Sequence, residues 1–96
     1  MNFNLKLKNE EDWDFTKKPH RFNGIHYVFK FKNGWGASVV KFIYSYGYDD
    51  DLWELAVLKN GELNYDNSVA DGDVRGYLKD SEVEALLSEI RNFKEI

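Results

Sequence analysis

Asn33-Gly34 lies between two runs in which apolar and polar residues alternate, Ile25 to Phe31 and Trp35 to Tyr46, and no other feature narrows the possible folds as much. A type I′ turn needs positive φ at both central residues, and Asn followed by Gly tolerates this best, so the pair reads as a two-residue β-hairpin loop. That loop predicts a register in which Lys32 faces Trp35, Phe29 faces Ser38, Tyr27 faces Val40 and Ile25 faces Phe42. A period of two then sorts the hairpin into two faces. The expected core face carries Ile25, Tyr27, Phe29, Phe31, Val40, Phe42, Tyr44 and Tyr46. The other carries His26, Val28, Lys30, Lys32, Trp35, Ala37, Val39, Lys41 and Ile43, where apolar residues mix with cations.

Asn60-Gly61 repeats the signal. It predicts that the apolar run Leu52 to Leu58 pairs with Glu62 to Asp66, with Lys59 opposite Glu62. At the N-terminus, Phe3, Leu5 and Leu7 alternate with polar residues, as a short half-buried strand with a lysine-bearing edge would. Residues 9–23 show no period and contain Pro19, which predicts a loop that drops Trp13, Phe15 or Phe22 onto the core, with Asn23-Gly24 turning into the main hairpin. Residues 67–76, rich in Asp, Gly and Ser, predict an irregular connection. A helix is expected from Asp80 or Ser81, because Ser81 and Glu84 have capping-box spacing and Val83, Leu86, Leu87, Ile90 and Phe93 form one apolar stripe. The expected fold is α+β: an antiparallel sheet of four or five strands built from two Asn-Gly hairpins, with the C-terminal amphipathic helix packed on one face.

The 96 residues suit a single domain spanning the chain. Without cysteine, disulfides and thiolate zinc sites are excluded, which points to a reducing compartment. No apolar run reaches the roughly 18 residues of a membrane span, so a soluble, cytoplasmic protein is expected. The net charge of −4 is unevenly spread, with lysines concentrated before Lys41 and acids after it. An enzyme is not expected. His20 and His26 have no catalytic partner at short spacing, and Asp49, Asp50, Asp51, Glu54, Asp71 and Asp73 lack the spacing of a calcium loop. Gly34-Trp35-Gly36 joins two strands and opens no helix, so it is no phosphate loop. Neither a cofactor nor a metal is implied.

The segments FKNGWGASVV, SYGY, LWELAVL, LNYD and VRGYLKDSEVEALLSEI, in this order and spacing, carry a resemblance across residues 25–93. They look like a family of small proteins, without assigned activity, encoded by tailed phages and prophages. Two departures stand out: Tyr48 with Asp49 to Asp51 replaces a small turn, and the connection around Ser68 to Val74 is reshaped. The resemblance implies a bacterial host cytoplasm and a protein that attaches to a host protein, inhibiting a defence factor such as a CRISPR effector, or a replication factor.

The candidate partner-binding residues are Tyr46, Tyr48, Asp49, Asp50, Asp51 and Trp53, an aromatic and acidic group able to occupy a site that normally receives phosphate. The alternative is a single-stranded nucleic-acid module in which His26, Lys30, Lys32, Trp35 and Lys41 share one sheet face, rings stacking on bases and lysines meeting phosphates. If the face bearing Val28, Trp35, Val39 and Ile43 stays uncovered, two chains could bury it, but its lysines favour a monomer or a weak homodimer.

Overall fold

The computed structural model describes residues 1–96 as an antiparallel sheet with one helix against one of its faces. The strands are β1 (Phe15–His20), β2 (Gly24–Lys30), β3 (Trp35–Lys41), β4 (Trp53–Lys59), β5 (Glu62–Asn64) and β6 (Arg75–Leu78), followed by α1 (Asp80–Arg91). The sheet runs β1-β2-β3-β4, and β5 and β6 pair with β4 at different heights. Six strands therefore make a sheet five strands wide, with the α+β class and helix packing expected from the sequence.

The first hairpin differs by one residue from the expected register. Ile25 faces Lys41, Tyr27 faces Val39 and Phe29 faces Ala37. The loop has three residues, Lys32-Asn33-Gly34, closed by the Phe31 N–H donating to the Trp35 carbonyl at 2.9 Å, and only Gly34 takes positive φ, at 91°. Asn33 is withheld from the left-handed conformation because its side chain has other work. Its Oδ1 accepts the Trp35 N–H, and its Nδ2 donates to the carbonyls of Ile90, Arg91 and Phe93 at 3.0 to 3.2 Å. The Arg91 and Phe93 carbonyls have no backbone donor where the helix ends, the Ile90 carbonyl takes the Phe93 N–H as well, and here a loop far away in sequence supplies the side-chain donor. A shift of one residue turns every side chain of β3 to the opposite face. Ala37 and Val39 thus enter the core with Tyr27 and Phe29, while Val40 faces the other way with His26, Val28, Ala56 and Leu58.

The second hairpin follows its expectation: Lys59 faces Glu62, and Asn60 and Gly61 both take positive φ, at 52° and 80°. Two expected elements are replaced. Residues 3–7 form no strand but cross the first face, where the Leu5 N–H donates to Tyr27 Oη and Tyr27 Oη donates to the Phe3 carbonyl. Residues 15–20, expected as loop, form β1. Pro19 is tolerated there because it sits on an edge strand at a position that needs no ladder donor.

The helix begins at Asp80 with Lys79 as its N-cap, and Glu82 Oε1 accepts the Lys79 N–H at 3.0 Å. Lysine has no acceptor, so only this half of a capping box exists. Glu84, expected in that role, instead accepts the Lys8 N–H with both oxygens and ties the N-terminal segment to the helix. Val83, Leu86, Leu87 and Ile90 are buried against β3, β4 and β6, with Trp13, Val69 and Ala70 completing the core. The helix, the N-terminal segment and residues 69–70 all belong to the first face. No helix is long and apolar enough to cross a membrane.

Candidate functional site

At the end of the sheet where β1 turns into β2 and β3 passes towards β4, four large aromatic side chains stand in solvent: Phe22, Tyr44, Tyr46 and Tyr77, between 54% and 72% exposed. They form two linked pairs. Phe22 meets Tyr44 edge-on with ring centroids 5.1 Å apart. Tyr46 and Tyr77 are joined through the backbone, the Tyr77 N–H donating to the Tyr46 carbonyl at 3.2 Å. Gly76 allows that approach, since a Cβ added there would lie 2.3 Å from the Tyr46 Cβ. The Tyr46 N–H in turn donates to Glu54 Oε1 at 2.9 Å, and Ser45 pins the loop by accepting from the Phe42 N–H and donating to the Phe42 carbonyl.

Two of these rings are held on unfavourable backbone. Phe22 and Tyr77 both have φ of 58°. Tyr77 occupies a bulge where Gly76 and Tyr77 together span the single β4 residue Glu54, between the Trp53–Leu78 and Leu55–Arg75 pairs. A left-handed non-glycine residue costs on the order of 1–3 kcal/mol and concentrates at working sites.

The six residues expected as a partner surface divide. Tyr46, Asp49 and Asp50 are exposed and Tyr48 is half-buried; Tyr46 belongs to the aromatic cluster, and the other three follow it in sequence through the turn at Gly47. Trp53 is 1% exposed, a core residue whose Nε1 donates to Asp80 Oδ1 at 2.7 Å. Asp51, although its side chain is 44% exposed, is tied to the buried Lys41. The Lys41 Nζ donates to Asp51 Oδ1 at 2.8 Å, to the Asp51 carbonyl at 3.1 Å and to the Asn2 carbonyl at 2.6 Å, 4.2 Å from the centre of the Trp53 ring. All three protons of a buried ammonium are thereby satisfied. The hydrogen bond from Lys41 is the main cause that holds the Asp51 carboxyl below the usual carboxylate range, with the Asn2 N–H adding to it.

The expected nucleic-acid face does not assemble. His26 and Lys30 lie on the second face and Lys32 in the hairpin loop, whereas Trp35 and Lys41 lie on the first. Trp35 packs edge-on against Phe93 and donates from Nε1 to the Lys94 carbonyl. The same shift breaks up the expected dimer face, since Val28 is on the second face, Trp35 and Val39 are on the first, and Ile43 is in the end loop. No group of three or more His, Asp or Glu side chains is arranged to hold a metal ion.

Beside the aromatic cluster, His20 stacks on Phe42 with centroids 4.1 Å apart, and His26 lies 5.7 Å from His20 and shares a 2.7 Å hydrogen bond with Ser38 Oγ. Burial first, then the charges of Lys18 and His20, push the His26 imidazole below its ordinary 6.5. The unfolded chain therefore binds this proton more readily than the folded one. Stability is full above about pH 6.5 and falls as the pH drops from there towards the folded value. His26→Gln, which keeps a partner for Ser38, should flatten that limb below pH 6.5 in thermal melts. An unchanged slope would assign the limb to another group.

Phe22, Tyr44 and Tyr77 were not among the expected site residues. Tyr44 reads as core in the expected hairpin register, and Tyr77 falls between the irregular connection of residues 67–76 and the expected helix, where no element is expected. Asn23-Gly24 was a usable signal for Phe22, since a hairpin turn there sets residue 22 at an exposed tip. No family model, curated protein or solved structure matches this chain.

Proposed function

We propose that the chain is a small binding protein that attaches to a host protein through Phe22, Tyr44, Tyr46 and Tyr77, with Asp49 and Asp50 at their flank. The observation that carries this reading is the gathering of four exposed aromatic rings at one end of the sheet, two of them on strained backbone. Aromatic anchors dominate binding energy at interfaces, and tyrosine offers large area with few rotatable bonds. The adjoining aspartates favour a basic partner surface of the kind that receives phosphate. The resemblance to phage-encoded proteins supports a bacterial host factor as partner, either a defence protein such as a CRISPR effector or a replication protein, which attachment would inhibit.

Tyr44→Ala combined with Tyr46→Ala tests the surface. Both side chains are exposed, so stability should move by less than about 0.5 kcal/mol per site. Each anchor removed should weaken partner binding at least about tenfold, read in a pull-down from bacterial lysate followed by titration of the captured protein. Equal capture by parent and double variant would overturn the assignment.

A further inference from the structure

We propose that the free edge of β1 is a second docking site, which accepts an extended, acid-bearing segment of a partner protein as an added strand. The phase of the ladder identifies the free backbone groups. The Lys30 N–H donates to the Asp14 carbonyl at 3.0 Å, so in this antiparallel register the inward-bonded pairs are Asp14–Lys30, Thr16–Val28, Lys18–His26 and His20–Gly24. Phe15, Lys17 and Pro19 therefore point their backbone groups away from β2. β1 is the terminal strand of the sheet. Phe15 and Lys17 thus each offer an N–H and a C=O to an incoming strand, and Pro19, which has no N–H, ends the run.

A cavity of about 290 Å³ opens beside this edge, between β1 and the N-terminal segment, and Leu5, Leu7, Phe15, Tyr27, Lys6 and Lys17 are among its lining residues. An added strand sends alternate side chains to the two faces. Those directed to the first face enter the cavity, where an apolar side chain meets Leu5, Leu7 and Phe15. Those directed to the second pass Thr16 and Lys18.

Charge selects the occupant. Lys6, Lys17 and Lys18 are all exposed along this edge and outnumber Glu10, the one acid that lines the cavity. A second copy pairing β1 with β1 in antiparallel fashion would set these lysines against their mates, and like charges facing each other across strands are unfavourable. A strand that alternates apolar and acidic residues meets no such opposition.

The probe is a capped heptapeptide of alternating glutamate and valine, titrated into the full-length, ¹⁵N-labelled protein. Saturation should slow amide exchange at Phe15 and Lys17 about tenfold while Thr16 and Lys18, already bonded to β2, stay unchanged. Lys17→Pro removes an outward donor without touching the ladder to β2 and should abolish binding. Lys18→Glu retains every backbone group and should weaken binding about tenfold through charge alone. Tyr44→Ala with Tyr46→Ala should leave the peptide affinity unchanged, which separates this edge from the aromatic surface. Unprotected Phe15 and Lys17 amides at saturation, or equal affinity of the Lys18→Glu variant, would overturn the proposal.

Discussion

Trp53→Ala should lower the unfolding free energy by about 3–5 kcal/mol, the range for truncating a buried large aromatic residue. Against a total of roughly 5–15 kcal/mol for a domain of this kind, that is a large share of the whole. The indole joins three parts of the molecule: it pairs with Leu78 across β4 and β6, meets Tyr27 edge-on at 5.6 Å, and donates to Asp80 in the first turn of α1. Trp53→Phe keeps a ring over Lys41 but loses both the donor to Asp80 and part of the indole's buried volume, for about 2–3 kcal/mol. Urea titration measures both. A Trp53→Ala protein within about 1 kcal/mol of the parent would show that the indole is not a core residue and return it to the partner surface.

Asp51→Ala should be more damaging than removal of the lysine that it serves. Lys41 is 1% exposed, and without the carboxylate its ammonium keeps only two carbonyl acceptors. Stranding the buried ammonium costs about 3 kcal/mol, whereas removing the cation leaves only the Asp51 carboxylate, which is 44% exposed and can be hydrated. Lys41→Met should therefore cost less than about 1 kcal/mol, and adding it to Asp51→Ala should recover most of the loss. The same pair sets an acid limb. The folded Asp51 carboxyl lies below its ordinary 3.8, so its contribution is complete above that value and disappears as the pH falls through the lower folded one. Equal destabilisation by Asp51→Ala and Lys41→Met would show that the salt bridge is not the source.

The α+β class, the second hairpin with Lys59 against Glu62, and the apolar stripe of α1 were legible because each rests on local periodicity or on a turn with one favoured conformation. The first hairpin was not, and the reason is chemical. Asn33-Gly34 suits a two-residue loop by propensity, but the Asn33 amide is engaged by the end of α1, a tertiary contact that a local rule does not contain. That single residue of shift moved Trp35, Ala37, Val39 and Lys41 to the core side and sent Val40 away from it. It also explains why the aromatic cluster was half seen: the acidic turn from Tyr48 to Asp50 is a local feature, whereas the exposure of Tyr44 and Tyr46 depends on where β3 stops. β1 was hidden by Pro19, which argues against a strand unless its position on an edge is known.

The bond from Asn33 to the last turn of α1 also bears on the order of events in folding. The helix end finds its donor 57 to 60 residues earlier in the chain, and the Ile96 N–H returns to the Asn33 carbonyl at 3.0 Å. Opening either the hairpin tip or the helix terminus takes hydrogen-bond partners from the other, so the two ends are coupled in the native state. Contacts of such span are slow to close, because most of the intervening loop must be ordered before any reward arrives. The tip of the first hairpin and the last turn of the helix should thus fray as one unit, read as matching amide-exchange protection at Gly34, Phe93 and Ile96.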